Sequence, residues 1–176
     1  MSIKLLNKIE LKRKLSLINF HKNGNDRLVM SNPPPVKASG LYWIYTSYSL
    51  NELKSCTPSN DTGAIQINEL AKLHDGLEYV CKISDQNYRV VYNGIAGNSC
   101  GIRQRIRQHF NGGQGTGCLS ISKSSLNDLS KWRVSYVTID SELPEDIQVP
   151  ASYNEHAKNI ERMWRLRYGW PLLCRS

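Results

Sequence analysis

Apolar residues recur along this chain at two periods, one near 3.6 and one near 2, and the switches between them mark out its elements. Leu6, Ile9, Leu11, Leu15 and Ile18 follow near-helical spacing, which predicts a helix over 3–20 with Ser2 as its N-cap. HKNGNDR and SNPPPVKASG then read as a linker, because Pro33-Pro34-Pro35 can neither continue a helix nor pair as a central strand. LYWIYTSY (41–48) reads as a strand, followed by a polar loop (SCTPSNDTG) and a short helix in INELAKLHDG, closed by Gly76 as its C′ residue. LEYVCKIS (77–84) and YRVVYNG (88–94) are strand-like runs divided by Asp85-Gln86-Asn87. IRQRIRQHF is a helix, NGGQGTG a flexible loop, 121–130 helical, and Trp132–Ile139 a further strand. DSELPEDIQVPAS is a loop before a last helix over Tyr153–Tyr168, which Gly169 and Pro171 stop. Without internal repeats, this order predicts an α+β domain, a small antiparallel or mixed sheet flanked by helices.

The linker divides the chain into residues 1–36, a basic helical extension and Pro-rich linker, and residues 37–176, a globular domain with an insertion at about 51–87. Lys4, Lys8, Lys12, Arg13 and Lys14 make the first helix strongly basic. Formal net charge is +8 and the pI is about 9.3, so nucleic acid is the leading partner, against the alternative of an ordinary basic protein. Five scattered cysteines without a CxxC pair favour reduced thiols in an intracellular protein over a disulfide framework or zinc module. No apolar run approaches the roughly 20 residues of a membrane span, and the N-terminus lacks the apolar block of a signal peptide. A cytoplasmic location is expected.

The chemistry concentrates around two strands and two helices. In the 102–110 helix Ile102, Ile106 and Phe110 form the buried stripe, and Arg105 and His109, four apart, share a face beside it. They suit phosphoryl chemistry, the guanidinium stabilising charge and the imidazole within reach of water or leaving group. They equally suit a solvated basic face. The preceding turn, GIAGNSCG, matches neither GxGxxG nor GxxxxGK[ST], so it is better read as a tight turn than as a nucleotide site. On the last helix Glu161 lies about 40° beyond the Ala157 edge of the apolar arc formed with Ile160, Met163 and Trp164. One such carboxylate can hold Mg²⁺ when waters and phosphate oxygens complete the shell, or it can be a rim glutamate paired with Arg165. Glu155 is the rival carboxylate and His156 reads as structural. Tyr42 and Tyr92, each on a strand, are either buried phenols with satisfied hydroxyls or groups whose acidity a neighbouring arginine raises.

Taken in order, these residues resemble the GIY-YIG nuclease family: G-[LI]-Y-x-I at Gly40–Ile44, Tyr92-Asn93-Gly94 for the second element, [LI]-x-x-R-[IL]-x-x-H at Ile102–His109, and Glu161-Arg162 ahead of Pro171-Leu172-Leu173. The resemblance spans roughly residues 38–176. It implies a small antiparallel sheet, one divalent metal (Mg²⁺, with Mn²⁺ able to substitute) held by Glu161, and phosphodiester hydrolysis leaving 5′-phosphate and 3′-hydroxyl ends. By the same carry-over Tyr42 is the general base, with a relay through His109; Tyr92 orients water or phosphate, Arg105 stabilises the transition state, and either phenol remains open as the base. Four departures stand out: the long gap between the tyrosine motifs, Asn93 in place of isoleucine, a GIAGNSCG turn longer than the common form, and Cys174 where an asparagine is common. The chain looks most like a type II restriction enzyme, a homodimer on double-stranded DNA with no membrane contact. Its N-terminal helix, 51–87 insertion and GGQGTG loop are candidates for embracing DNA. Homing or repair nucleases and a non-catalytic nucleic-acid-binding protein are the alternatives; a mononucleotide-binding protein is disfavoured by the glycine spacing.

Overall fold

The computed structural model describes residues 3–97, 99–139 and 153–175. Its strands are β1 (Leu17–Lys22), β2 (Leu28–Met30), β3 (Gly40–Thr46), β4 (Ser84–Asp85), β5 (Tyr88–Ala96) and β6 (Trp132–Thr138). They form one open sheet in the order β2-β1-β6-β3-β5-β4, with every pairing antiparallel. The helices are α1 (Ile3–Leu15), α2 (Leu50–Ser55), α3 (Ile67–Leu73), α4 (Gly101–Asn111) and α5 (Tyr153–Tyr168). The fold is α+β, as the element order predicts.

β3 is the axis of the sheet, and all seven of its residues are buried because helices cover both faces. Tyr42 and Ile44 face a core shared with Ile102, Ile106 and Phe110 of α4 and with Leu53 and Ile67 of α2 and α3. Leu41, Trp43 and Tyr45 face the other way, onto Leu6 and Ile9 of α1 and Ala157, Ile160 and Trp164 of α5. Gly40 opens β3 against β6 so closely that a Cβ there would stand 2.1 Å from the Val137 carbonyl oxygen. Only glycine fits.

Four segments differ from the sequence expectations. The first helix ends at Leu15, and Leu17–Lys22 is β1, hydrogen-bonded to β6; Ile18 and Phe20 alternate inward, which is strand periodicity. Its expected N-cap, Ser2, lies outside the described residues. The region expected as a linker contains β2, and its Pro34 carbonyl accepts from Arg103 Nε at 2.7 Å. Residues 77–84 are not a strand beyond Ser84, because the 79–81 backbone pairs instead with Trp170. Leu173 N–H donates to the Val91 carbonyl at 2.8 Å, so the C-terminal segment covers the edge of β5. Residues 121–130 hold two single 3-10 turns, Ile121–Lys123 and Leu129–Lys131, in place of a helix. The sequence also left α2 unassigned. Ser49 and Glu52 close a capping box at its start, Glu52 N–H donating to Ser49 Oγ and Ser49 N–H to Glu52 Oε2. All five cysteines are free.

Candidate active site

The site begins with the pairing of β3 and β5, which sets Tyr42 opposite Gly94 and Ile44 opposite Tyr92. The missing side chain of Gly94 makes room for a phenol, since a Cβ there would come within 2.6 Å of the Tyr42 hydroxyl and 3.1 Å of the Tyr92 ring. The two phenol rings lie 6.1 Å apart between centroids, inclined by 26°. Burial of the Ile102, Ile106 and Phe110 stripe then turns one side of α4 onto the sheet and delivers His109 to the phenols. Tyr42 Oη is 2.9 Å from His109 Nε2, and the His109 ring is 4.6 Å from that of Tyr92. His109 is fully buried, deeper than the edge-of-core position its spacing suggests.

A backbone amide fixes the direction of the Tyr42–His109 bond. Leu119 N–H donates to His109 Nδ1 at 3.2 Å. An amide N–H has only a hydrogen to offer, so Nδ1 carries the lone pair and the neutral ring holds its proton on Nε2. His109 therefore donates to Tyr42, and the Tyr42 oxygen accepts. Burial, reinforced by the charge of Arg105, holds His109 well below the ordinary imidazole pKa and keeps it neutral.

Arg105 sits on the same side of α4, half-buried, and its guanidinium is held by two acceptors. One is Gln108 Oε1 at 2.9 Å and the other the Thr116 carbonyl at 2.7 Å. The glycine-rich 111–117 segment, expected as a flexible loop and a candidate for embracing DNA, thus also positions the arginine. Burial pushes the Tyr42 phenol well above its ordinary pKa, with Tyr92 adding to the rise and Arg105 opposing it. Tyr92 is pushed up to about 12, mainly by burial and then by Cys174, and Arg105 again opposes. Both phenols are neutral at rest, beside Arg105, whose charge favours their ionisation.

Glu161 approaches from the other direction, on α5, close enough for its charge to work against ionisation of Tyr92. Its side chain is 14% exposed and pairs with Arg165 Nη2 at 3.1 Å, the arrangement the i,i+4 spacing offers. Burial raises its pKa above the ordinary carboxylate value, and Arg165 opposes the rise. Glu155 is exposed and His156 is buried.

Sequence reasoning missed the support behind Glu161. Arg165 Nε donates to Asn93 Oδ1 at 2.8 Å, and its guanidinium lies 4.5 Å over the Trp170 ring. Asn93 N–H in turn donates to Cys174 Sγ at 3.4 Å, and the thiol lies 3.5 Å from both Asn93 oxygens. The two single-residue departures from the family pattern, Asn93 and Cys174, are therefore in contact. The amide sits on the strand and the thiol on the terminal segment, and their joint deviation is the signal that pairs them. Burial pushes the Cys174 thiol up to about 12, so it stays protonated and is a poor metal ligand.

As a metal site the donor set fits a hard cation. Among the described residues no cluster of three or more His, Cys, Asp or Glu side chains forms a closed cage. One partly accessible carboxylate, with remaining positions left to water and phosphate oxygens, is how Mg²⁺ is commonly bound.

Compared with known families, residues 40–141, more than half of the chain, match the GIY-YIG catalytic domain. The match takes in Tyr42, Tyr92, Arg105 and His109 and stops short of α5 and Glu161. No curated protein and no solved structure matches the chain.

Proposed function

The chain belongs to the GIY-YIG catalytic domain family and is a nuclease of that type; from that premise we propose that it is a Mg²⁺-dependent DNA endonuclease leaving 5′-phosphate and 3′-hydroxyl ends. The observation that carries the assignment of roles is the buried Tyr42–His109 bond, whose direction Leu119 sets. Tyr42 is the general base in its ionised form: the phenol gives its proton up to bulk water, and the phenolate then takes a proton from the attacking water. Its oxygen already accepts one hydrogen bond from His109 and lies in the field of Arg105, two interactions that strengthen when the phenol ionises. His109 is a positioning donor and not a proton relay, because its acceptor nitrogen is turned to the Leu119 amide. Tyr92, stacked on Tyr42, orients the attacking water or the phosphate. Arg105, tethered to Gln108 and the Thr116 carbonyl, offers its guanidinium to charge developing on the phosphate in the transition state. Glu161 would hold the metal, which supplies Lewis-acid stabilisation of the phosphate and more acidic water when bound. Arg165, held by Asn93, orients that carboxylate.

Within the family, a basic catalytic domain with a further basic helix packed onto it favours a type II restriction enzyme, working in the cytoplasm as a homodimer with one active centre per strand. Homing and repair roles are the finer alternatives. The Glu161–Arg165 pair favours one reading from another class, a non-catalytic DNA binder whose carboxylate stays neutralised.

The test is incubation of the purified chain with plasmid and phage DNA in Mg²⁺, beside EDTA, Glu161→Gln and Arg105→Ala. Discrete fragments that depend on metal are expected, with losses of at least about 10²–10³-fold in kcat for either variant and unchanged folding. Full activity in either variant would remove that residue from the site. Binding that survives chelation without any cleavage would favour the non-catalytic reading. A single nick or a smear would move the role from restriction to homing, repair or nonspecific cleavage.

A further inference from the structure

Beside Glu161 the surface opens into a cleft of about 710 Å³, between the C-terminal half of α5 with the residues after it and the 78–82 stretch of the insertion. Large apolar side chains stand exposed in its lining: Tyr79 is 80% exposed, Leu166 86% and Trp170 36%. Lys82, Arg162 and Arg167 surround them, and Glu78 is the one acid in the lining. Arg165 joins the cleft to the catalytic side, since it stacks over Trp170 and pairs with Glu161.

This combination selects among ligands. The outside of a DNA duplex presents phosphates, which use the cations and leave the aromatic surface in water. A second copy of the chain packed through this face would bring Lys82, Arg162 and Arg167 against their own counterparts, because a two-fold interface is self-complementary. A ligand with flat apolar faces and negative charge at short intervals satisfies both halves of the surface, and unpaired nucleotides are that ligand. We propose, resting on the nuclease assignment above, that the cleft binds a short single-stranded stretch of DNA next to the cut, with bases stacked on Tyr79 and Trp170 and phosphates on Lys82, Arg162 and Arg167. The 51–87 insertion then has a role. It carries one wall of a strand-binding groove to the metal side of the catalytic centre.

Trp170 makes the idea measurable, because Trp43, Trp132 and Trp164 are at most 1% exposed and only this tryptophan meets solvent. The full chain, in EDTA to prevent cleavage, is titrated with a thymidine oligonucleotide of about ten residues, a typical single-strand site size, and with a blunt duplex of mixed sequence. Saturable quenching of tryptophan fluorescence is expected with the single strand, and at least about tenfold less quenching at saturation with the duplex, which binds across the catalytic centre and leaves Trp170 in water. Tyr79→Ala, which removes an exposed side chain and leaves the melting temperature unchanged, is expected to weaken single-strand binding about five- to tenfold, the loss of one stacked base. Equal quenching by both DNAs, or a Tyr79→Ala variant that binds the single strand as wild type, would overturn the proposal. So would Trp170 fluorescence that changes with protein concentration alone, accompanied by dimer formation in sedimentation. The readout needs no catalysis: an uncut plasmid with quenching intact sinks the nuclease assignment and leaves the cleft, whereas cleavage without quenching sinks the cleft alone.

Discussion

The hydrogen that Leu119 donates to His109 has two consequences that substitution can separate. A glutamine at 109 can accept from Leu119 through its carbonyl and donate to Tyr42 through its amide; alanine can do neither. His109→Gln should therefore keep kcat within about tenfold, while His109→Ala should lose on the order of 10²-fold through a misplaced phenol. Steady-state cleavage rates check this, and a glutamine variant as impaired as alanine would return His109 to a proton-transfer role. The second consequence is pH dependence. Burial holds folded His109 well below the unfolded value of 6.5, so below that pH the unfolded chain takes up a proton that the folded one refuses. Stability is complete above about pH 6.5 and falls as pH drops toward the folded-state pKa, by up to about 1.4 kcal/mol per pH unit. Urea midpoints between pH 5 and 8 should show this decline in the wild type and a shallower one in His109→Gln. Gly94 gives the complementary test. A methyl group there would stand 2.6 Å from the Tyr42 hydroxyl, so Gly94→Ala should cut kcat about 10²-fold or more with little change in DNA affinity.

Among the elements, α4 was fully legible in the sequence, because Ile102, Ile106 and Phe110 repeat at one period and Arg105 and His109 follow from that face. β3 and α5 were legible for the same reason, each repeating its own local pattern. What stayed hidden depended on remote partners. Residues 77–84 have strand composition, yet their pairing is decided by Trp170 and by a C-terminal segment that covers the edge of β5. β1 was absorbed into a helix because Leu15 and Ile18 happen to continue helical spacing; the inward alternation of Ile18 and Phe20 was the competing signal. The Arg165–Asn93 bond joins residues 72 positions apart, beyond any local pattern. α2 is different, since its signal was local. Ser49 and Glu52 satisfy each other's backbone amides, so Ser49→Ala should cost about 1 kcal/mol of stability, read as a lower denaturation midpoint with unchanged cleavage. An unaltered midpoint would mean that packing of Leu53 alone holds this helix.

At the scale of the whole molecule, the N-terminal residues are bound into the sheet. β1 pairs with β6, and Ile18 and Phe20 fill the core beside Phe110, whose ring stacks on Phe20 at 4.0 Å. On the opposite face Arg13 is only 2% exposed and bonds both Glu10 and the Tyr45 hydroxyl. Glu10 also accepts from Trp164 Nε1 at 3.2 Å, and the Tyr45 hydroxyl lies 2.8 Å from Ser135 Oγ, so one polar network joins α1, β3, β6 and α5. Removing one member of such a buried pair strands the other, at about 3 kcal/mol, whereas replacing both by apolar groups of similar size can be nearly neutral. Arg13→Ala should therefore lower the urea midpoint sharply, and Arg13→Met with Glu10→Leu should recover most of the loss. The same packing bears on residues 1–36 as a unit. A chain of 37–176 would expose the edge of β6, empty the positions of Ile18 and Phe20, and leave Tyr45 without its guanidinium, so we expect it to aggregate or to unfold without cooperativity. A 37–176 chain that melts cooperatively and cuts DNA as the full chain does would instead make residues 1–36 a dispensable extension, and would leave the sheet from β3 to β6 as the self-sufficient catalytic unit.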